Sequence, residues 1–206
     1  MQFKIFQTGI YDVNTYLIWD EKSKEAAVVD YGGACSELLD EVNKQGLHIK
    51  YILNTHAHFD HISGEKSLQD LFKLPVYLHK NDLELANLLE VILAGFGVKP
   101  EKPPIVTNFL TEESELSLGD IQIKVIETPG HTQGGVCFLV EDSLFSGDTL
   151  FYESIGRTDL PGGSSVLLQQ SIKNKLFTLD EATKIYPGHG CPSTIGHEKL
   201  NNPFVI

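Results

Sequence analysis

The sequence predicts an α/β chain, one domain over residues 1–206, with two β-sheets face to face and helices on their outer sides. Three observations lead there. Short apolar or alternating runs, bounded by Gly, Pro, Asn or Asp, recur as strand candidates. They come in two rounds, each followed by helical periodicity. A length of 206 residues with 41% hydrophobic side chains suits one large core better than two small ones.

Residues 3–7, 14–19 and 26–30 read as the first strands. A helix is expected over 35–45, where Leu38, Leu39 and Val42 recur on one face and Gly46 stops it. Residues 51–54 form a buried strand, 63–72 a helix, and 76–78, entered through Pro75, a short strand. Asn81 or Asp82 can cap a helix reaching about residue 94, with Leu85, Leu88, Leu89 and Ile92 toward the core. Together with residues 95–98, its far end is a candidate apolar rim over a site. Glycine and proline make 95–104 a surface loop. Strands follow at 114–118 and 121–127, joined by a Gly119-Asp120 turn, then at 136–140 and 144–145. In the second of these, Ile121, Ile123 and Val125 alternate with polar residues. A helix over 164–176 and a strand over 184–186 complete the second round.

The charge balance excludes several function classes. Charged residues make up 21% of the chain, the net charge is −12, and Arg157 is the only arginine. Such a surface opposes both nucleic-acid phosphates and anionic membranes, so neither is an expected partner. No secretory signal and no run long enough to span a bilayer are visible. Cys35, Cys137 and Cys191 are odd in number and scattered, which fits a reducing cytoplasm better than a disulfide framework. The oligomeric state is not readable.

The chemistry concentrates in Thr55-His56-Ala57-His58-Phe59-Asp60-His61, directly after the apolar run Tyr51-Ile52-Leu53. Three imidazoles and a carboxylate within six positions can converge on divalent ions, and their number suggests two ions. His131, Asp148 and His189 each follow a strand and lie just behind or next to a glycine. Glycine lets the backbone turn sharply there. Two ions imply hydrolysis by metal-activated water. His48, His79 and His197 are expected to be ordinary surface or packed histidines.

These motifs together resemble the metallo-β-lactamase superfamily over essentially the whole chain. The resemblance implies a four-layer αββα sandwich with its metals at one edge. It implies one site from His56, His58 and His131, and a second from Asp60, His61 and His189, with Asp148 bridging both. The ions are expected to be two zinc ions first, with iron or manganese suited by the same donors. Asp60 and Asp148 are the expected catalytic carboxylates, and Asp30, at a strand end, would fix an imidazole tautomer.

Fold does not fix chemistry. The run Ile155-Gly156-Arg157-Thr158-Asp159-Leu160-Pro161-Gly162-Gly163 and the tail around Ser193-Thr194-Ile195-Gly196-His197-Glu198 and Asn202-Pro203-Phe204 resemble glyoxalase II-like hydrolases. They look most like the compact bacterial hydroxyacylglutathione hydrolases, which lack the C-terminal helical domain of the long form. The implied activity is hydrolysis of a small-molecule thioester, S-D-lactoylglutathione or a related acyl-thiol, by a hydroxide bridging the two ions. The alternative is an iron-dependent persulfide dioxygenase, which would use His56, His131 and Asp148. β-Lactamase or lactonase activity is expected to be minor. Phe151 and Tyr152 are candidates to line the substrate pocket. Arg157 is a candidate fork for a substrate carboxylate, or a partner of Asp159 that shapes its loop. Cys191 is expected as a packed loop thiol.

Overall fold

Strands β1 (Gln2–Thr8), β2 (Val13–Trp19), β3 (Glu25–Val29), β4 (His48–Leu53), β5 (Val76–His79) and β6 (Asn108–Leu110) lie in that order in the first sheet of the computed structural model, which describes residues 1–99 and 101–205. The first three pair antiparallel, and β3 to β6 pair parallel. Parallel neighbours need crossovers. These are α1 (Ser36–Gln45), then α2 (Phe59–Ile62) with α3 (Glu65–Phe72), then α4 (Leu83–Asn87) with α5 (Leu89–Gly95).

The second sheet begins with β7 (Leu116–Leu118), β8 (Ile121–Glu127), β9 (Val136–Val140) and β10 (Ser143–Gly147), all antiparallel. A small hairpin of β11 (Leu150–Phe151) and β12 (Ser154–Ile155) stands apart. After α6 (Ser165–Asn174), β13 (Lys184–Pro187) returns parallel to β10, and β14 (Ser193–Thr194) and α7 (Ile195–Asn201) follow.

Side-chain alternation builds the layers. On β2 and β3, Tyr16, Ile18, Ala27 and Val29 face the second sheet and meet Val125, Phe138 and Phe145. Leu17, Trp19 and Val28 face the other way, against Leu38 and Val42 of α1 and Leu68 of α3. Outside the second sheet, Cys137, Leu144 and Ile185 pack on Leu168 and Ile172 of α6 and Ile195 of α7. The order is therefore helix, sheet, sheet, helix, an αββα sandwich. Both faces of β2 are buried, so each of its large apolar side chains contributes on the order of 1.5–3 kcal/mol.

The helices depart most from expectation. The helix expected from residue 63 starts at Glu65, and a separate turn, α2, precedes it and carries Asp60 and His61. Gly64 joins the two where a Cβ would come within 2.8 Å of Gly33 and Tyr31. The helix expected from residue 81 or 82 to 94 breaks at Leu88, which is 45% exposed rather than toward the core, while Leu89 and Leu93 are buried. Asp82 does not cap it, because its carboxylate is engaged elsewhere. The loop expected over 95–104 is irregular after Gly95, except that Pro100 lies outside the described residues. Strands β6 and β14 and helix α7 add to the expected set. Thr194 caps α7 by accepting from His197 N–H at 3.2 Å.

Candidate metal centre

Each candidate ligand stands where a strand ends. His56 and His58 follow β4, His131 follows β8, Asp148 follows β10 and His189 follows β13. The turn α2 then folds Asp60 and His61 back toward them. Close packing makes this convergence possible. At Gly188 a Cβ would lie 2.4 Å from Asp148 Oδ1 and 2.6 Å from His61 Cε1, so a side chain there would fill the centre. Gly147 adopts φ +49° with Thr55 against it, which a larger residue could not do.

Two donor sets form. His56, His58 and His131 make one, Asp60, His61 and His189 the other, with donor atoms within 4.8 Å of one another in each. In the first, His58 Nδ1 faces His131 Nε2 at 2.8 Å. In the second, Asp60 Oδ2 lies 3.1 Å from His189 Nε2 and 3.9 Å from His61 Nε2. Asp148 touches both, with Oδ2 3.5 Å from His131 Nε2 and Oδ1 3.4 Å from His61 Nε2.

Three of the other ring nitrogens are tied down. His131 Nδ1 donates to the carbonyl of Arg157 at 2.8 Å, leaving Nε2 as a free lone pair. His61 Nδ1 donates to Asp30 Oδ2 at 2.9 Å. Asp30 also accepts from the Thr55 amide at 2.8 Å and the Thr55 hydroxyl at 2.7 Å. With its proton committed to Asp30, Thr55 Oγ1 accepts from His56 Nδ1 at 3.0 Å, so His56 also turns an unprotonated Nε2 inward. Asp30, His56 and His61 also cluster, but those three hydrogen bonds occupy the Asp30 oxygens.

Three buried atoms here have no hydrogen-bond partner: His56 Nε2, His61 Nε2 and Asp148 Oδ1. Leaving such atoms unsatisfied is costly. All three point into the two donor sets, and divalent cations would satisfy all of them. The residues present therefore fit a pair of metal ions, and nitrogen and oxygen donors suit zinc, iron and manganese alike.

Electrostatics follow the same division. Burial, reinforced by neighbouring imidazoles, holds His56 well below the ordinary histidine value and His58 down to about 4. Burial would likewise lower His61, but Asp148, Asp30 and Asp60 outweigh it and hold it well above. The hydrogen bond from His189 to Asp60 raises the imidazole. Burial pushes Asp148 up, yet His61, His131 and His189 together keep it below the usual carboxylate range.

Residues that sequence reasoning did not assign here hold the loops. Asp82 accepts from Ala57 N–H at 3.1 Å, from the Thr132 hydroxyl at 2.7 Å and from Gly134 N–H at 2.6 Å. It thereby ties the loop bearing His56 and His58 to the loop bearing His131. Asn14 donates to the carbonyls of Pro187 and Gly190, both at 3.0 Å, and so grips the His189 loop from β2. Only the clustering of polar residues beside strand ends could have marked them.

The other candidates lie outside the donor sets. The Arg157 side chain is exposed and forks onto Asp159, with both bonds at 2.8 Å. Its contact with the centre is the backbone carbonyl. Tyr152 is exposed and stacks on His197 at 5.0 Å, and Phe151 is half-buried on β11. His197 faces Glu153 at 3.1 Å, His79 lies 3.6 Å from Glu127, and His48 is exposed. Cys191 is exposed rather than packed. No helix among the described residues is long and apolar enough to cross a membrane.

The chain is similar to known proteins. Residues 8–189 match the model of the metallo-β-lactamase superfamily. The chain is 33% identical to the hydroxyacylglutathione hydrolase GloC of Haemophilus influenzae, over all of this chain and 98% of that one. The crystal structure of the BLEG-1 B3 metallo-β-lactamase superposes with a TM-score of 0.90 at 38% identity, covering 99% of each chain. TTHA1623, solved in a di-iron-bound form, gives 0.88 at 36% identity over 98% of this chain and 99% of that one. With the sandwich and the strand-end histidines and aspartates in place, the match over most of its length establishes that the chain belongs to the metallo-β-lactamase superfamily.

Proposed function

We propose that this chain is a metal-dependent thioester hydrolase that cleaves S-D-lactoylglutathione or a related acyl-thiol. The carrying observation is the pair of donor sets joined by Asp148, whose inward atoms are buried and unpartnered. The likeness to GloC over nearly the whole of both chains supports the choice of a thioester. His56, His58 and His131 are the proposed ligands of one ion, and Asp60, His61 and His189 those of the other. Asp148 is proposed to serve both. Divalent ions held there would polarise the thioester carbonyl and supply water ionised near neutral pH.

The chain's own residues account for the rest. Among His61, His189 and Asp148, Asp60 stays ionised and can accept a hydrogen bond from the attacking water. Asp30 and the Arg157 carbonyl hold His61 and His131 in the tautomers that turn Nε2 inward. Water adds to the carbonyl carbon and the carbon–sulfur bond breaks, giving a carboxylic acid and a thiol. A thiol has a pKa of about 8.5, so its thiolate leaves without a strong general acid. The proposed setting is cytoplasmic, with a small-molecule substrate and no nucleic-acid or membrane partner. Residues 1–206 act as one catalytic domain in this reading.

The test is turnover of S-D-lactoylglutathione by protein loaded separately with zinc, iron or manganese, with His58→Ala and Asp148→Ala as controls. Turnover that both variants and a chelator abolish is the expected result. Absence of turnover with every metal rejects the assignment and moves persulfide oxygenation by the iron form to first place. β-Lactams and lactones are expected to be minor substrates despite the likeness to BLEG-1. A kcat/KM for a β-lactam above that for the thioester overturns this ranking.

A further inference from the structure

Residues 13–16 of β2 are all buried, yet two of them, Asn14 and Thr15, carry polar side chains. Buried polar groups persist where their hydrogen bonds are made. Here every one of those bonds leads to the aspartate-containing donor set.

Asn14 and Tyr16 hold the turn of His189. The Asn14 N–H donates to the Gly188 carbonyl at 2.7 Å, and its side-chain amide donates to the carbonyls of Pro187 and Gly190, both at 3.0 Å. The Tyr16 hydroxyl donates to the Pro187 carbonyl at 2.6 Å. The backbone on both sides of His189 is thus fastened to β2. Among the described residues the His189 ring makes one hydrogen bond, from Nε2 to Asp60. The ring therefore stands where its turn stands.

Thr15 holds the support of His61. Its hydroxyl donates to the Asp30 carbonyl at 2.5 Å, while the Asp30 N–H donates to the Leu53 carbonyl at 3.1 Å. Asp30 sits at φ +55°, a left-handed conformation that side chains other than glycine seldom adopt, so its backbone is kept there from both sides. Its carboxylate then receives His61 Nδ1. Val13 completes the row. A Cβ on Gly32 would press into both the Val13 side chain and the Asp60 carbonyl, so one glycine separates the Asp60 backbone from β2.

The three-imidazole set is built from elsewhere. His56 and His58 follow β4, His131 follows β8, and Asp82 joins their loops. The path from β2 to this set runs through Asp30 and Thr55 to His56.

We propose that residues 13–16 of β2 are positioning residues for the second ion and decide whether the centre holds one ion or two. This rests on the two-ion reading above. One strand reaches the turn of His189, the support of His61 and the backbone of Asp60, so loosening it frees the second set while the first keeps its own fastenings.

The experiment is titration of the metal-free protein with zinc in competition with a chromogenic chelator. Asn14→Leu and Thr15→Val, both close to isosteric, are compared with the parent. Each variant should take up the second ion about 10–100-fold more weakly, with the first unchanged within about twofold. Tyr16→Phe deletes one hydroxyl, should show the same pattern at smaller size, and serves if Asn14→Leu fails to fold.

A second comparison excludes a general loosening of the fold. In a His189→Ala background, the ion that remains should bind as tightly with Asn14→Leu as without it. Weakening of that ion, or equal weakening of both ions in the single variants, overturns the proposal. Unchanged affinities in a parent that holds two ions overturn this inference alone. A parent that takes up only one ion overturns the two-ion reading and this inference with it.

Discussion

In the three-imidazole set, His56 is 2% exposed and fastened to Thr55, and His131 is fastened to the Arg157 carbonyl. In the aspartate-containing set, His61 is equally buried, but His189 leaves 31% of its side chain exposed and Asp60 15%. The first set is the more closed, with His56 and His131 pinned from behind. The second is pinned only at His61 and is the more open. A site built this way holds one ion rigidly and presents the other to substrate. Rigid donors lose less freedom on binding, so the closed set should bind its ion more tightly.

The largest effect is expected where the two sets share a residue. Asp148→Ala removes the contact common to both and should lower thioester kcat/KM by roughly a thousandfold, about 4 kcal/mol of barrier. Steady-state kinetics at saturating metal would check this. A loss confined to tenfold would mean that the sets work independently.

Next come the supports, which weigh differently on the two sets. Asp30 holds His61 directly and reaches His56 only through Thr55, whereas Asp82 joins the loops bearing His56, His58 and His131. Asp30→Asn should weaken the ion at the open set and Asp82→Asn the ion at the closed one, each by about 10–100-fold. Competition titrations against a chromogenic chelator would resolve the two. If both variants weakened the same ion, the division into two separately supported sets would be wrong.

A smaller effect concerns stability beside the open set. Glu65 is fully buried at the start of α3, and burial holds its carboxyl well above the ordinary value. Asn54 Nδ2 donates to Glu65 Oε2 at 3.1 Å, leaving Glu65 Oε1 and Asn54 Oδ1 unpartnered. A protonated Glu65 is a donor that could serve this neighbourhood. A raised folded-state value contributes stability that is complete below the unfolded value near 4.5 and is lost as pH rises toward the folded one. Glu65→Gln keeps a donor without that loss. Its advantage over the parent should therefore grow as pH rises from 5 to 8. Urea melts of the metal-free proteins at pH 5 and pH 8 would test this, and a constant difference would contradict it.

The sequence carried the converging side chains more plainly than their supports. His56, His58, Asp60 and His61 share one short segment, and the other three follow strand ends, so local pattern alone picks out residues that meet in space. Asp82 and Asn14 act across about 50 and 170 residues of chain, which no local pattern reveals. Periodicity favours one continuous helix here, but Leu88 turns out of it at φ −85° and ψ 0°, so α4 stops at Asn87 and α5 begins at Leu89. In the segment expected as a rim, Phe96 stacks on Phe59, a contact across 37 residues that no local pattern reveals.

The most direct test of the two-set account is a metal count. Protein saturated with zinc, desalted and analysed by elemental mass spectrometry should carry two ions per chain, and His189→Ala one. A mild chelator should remove the second ion from the parent while leaving the first. One ion in the parent, or two in His189→Ala, would contradict the account.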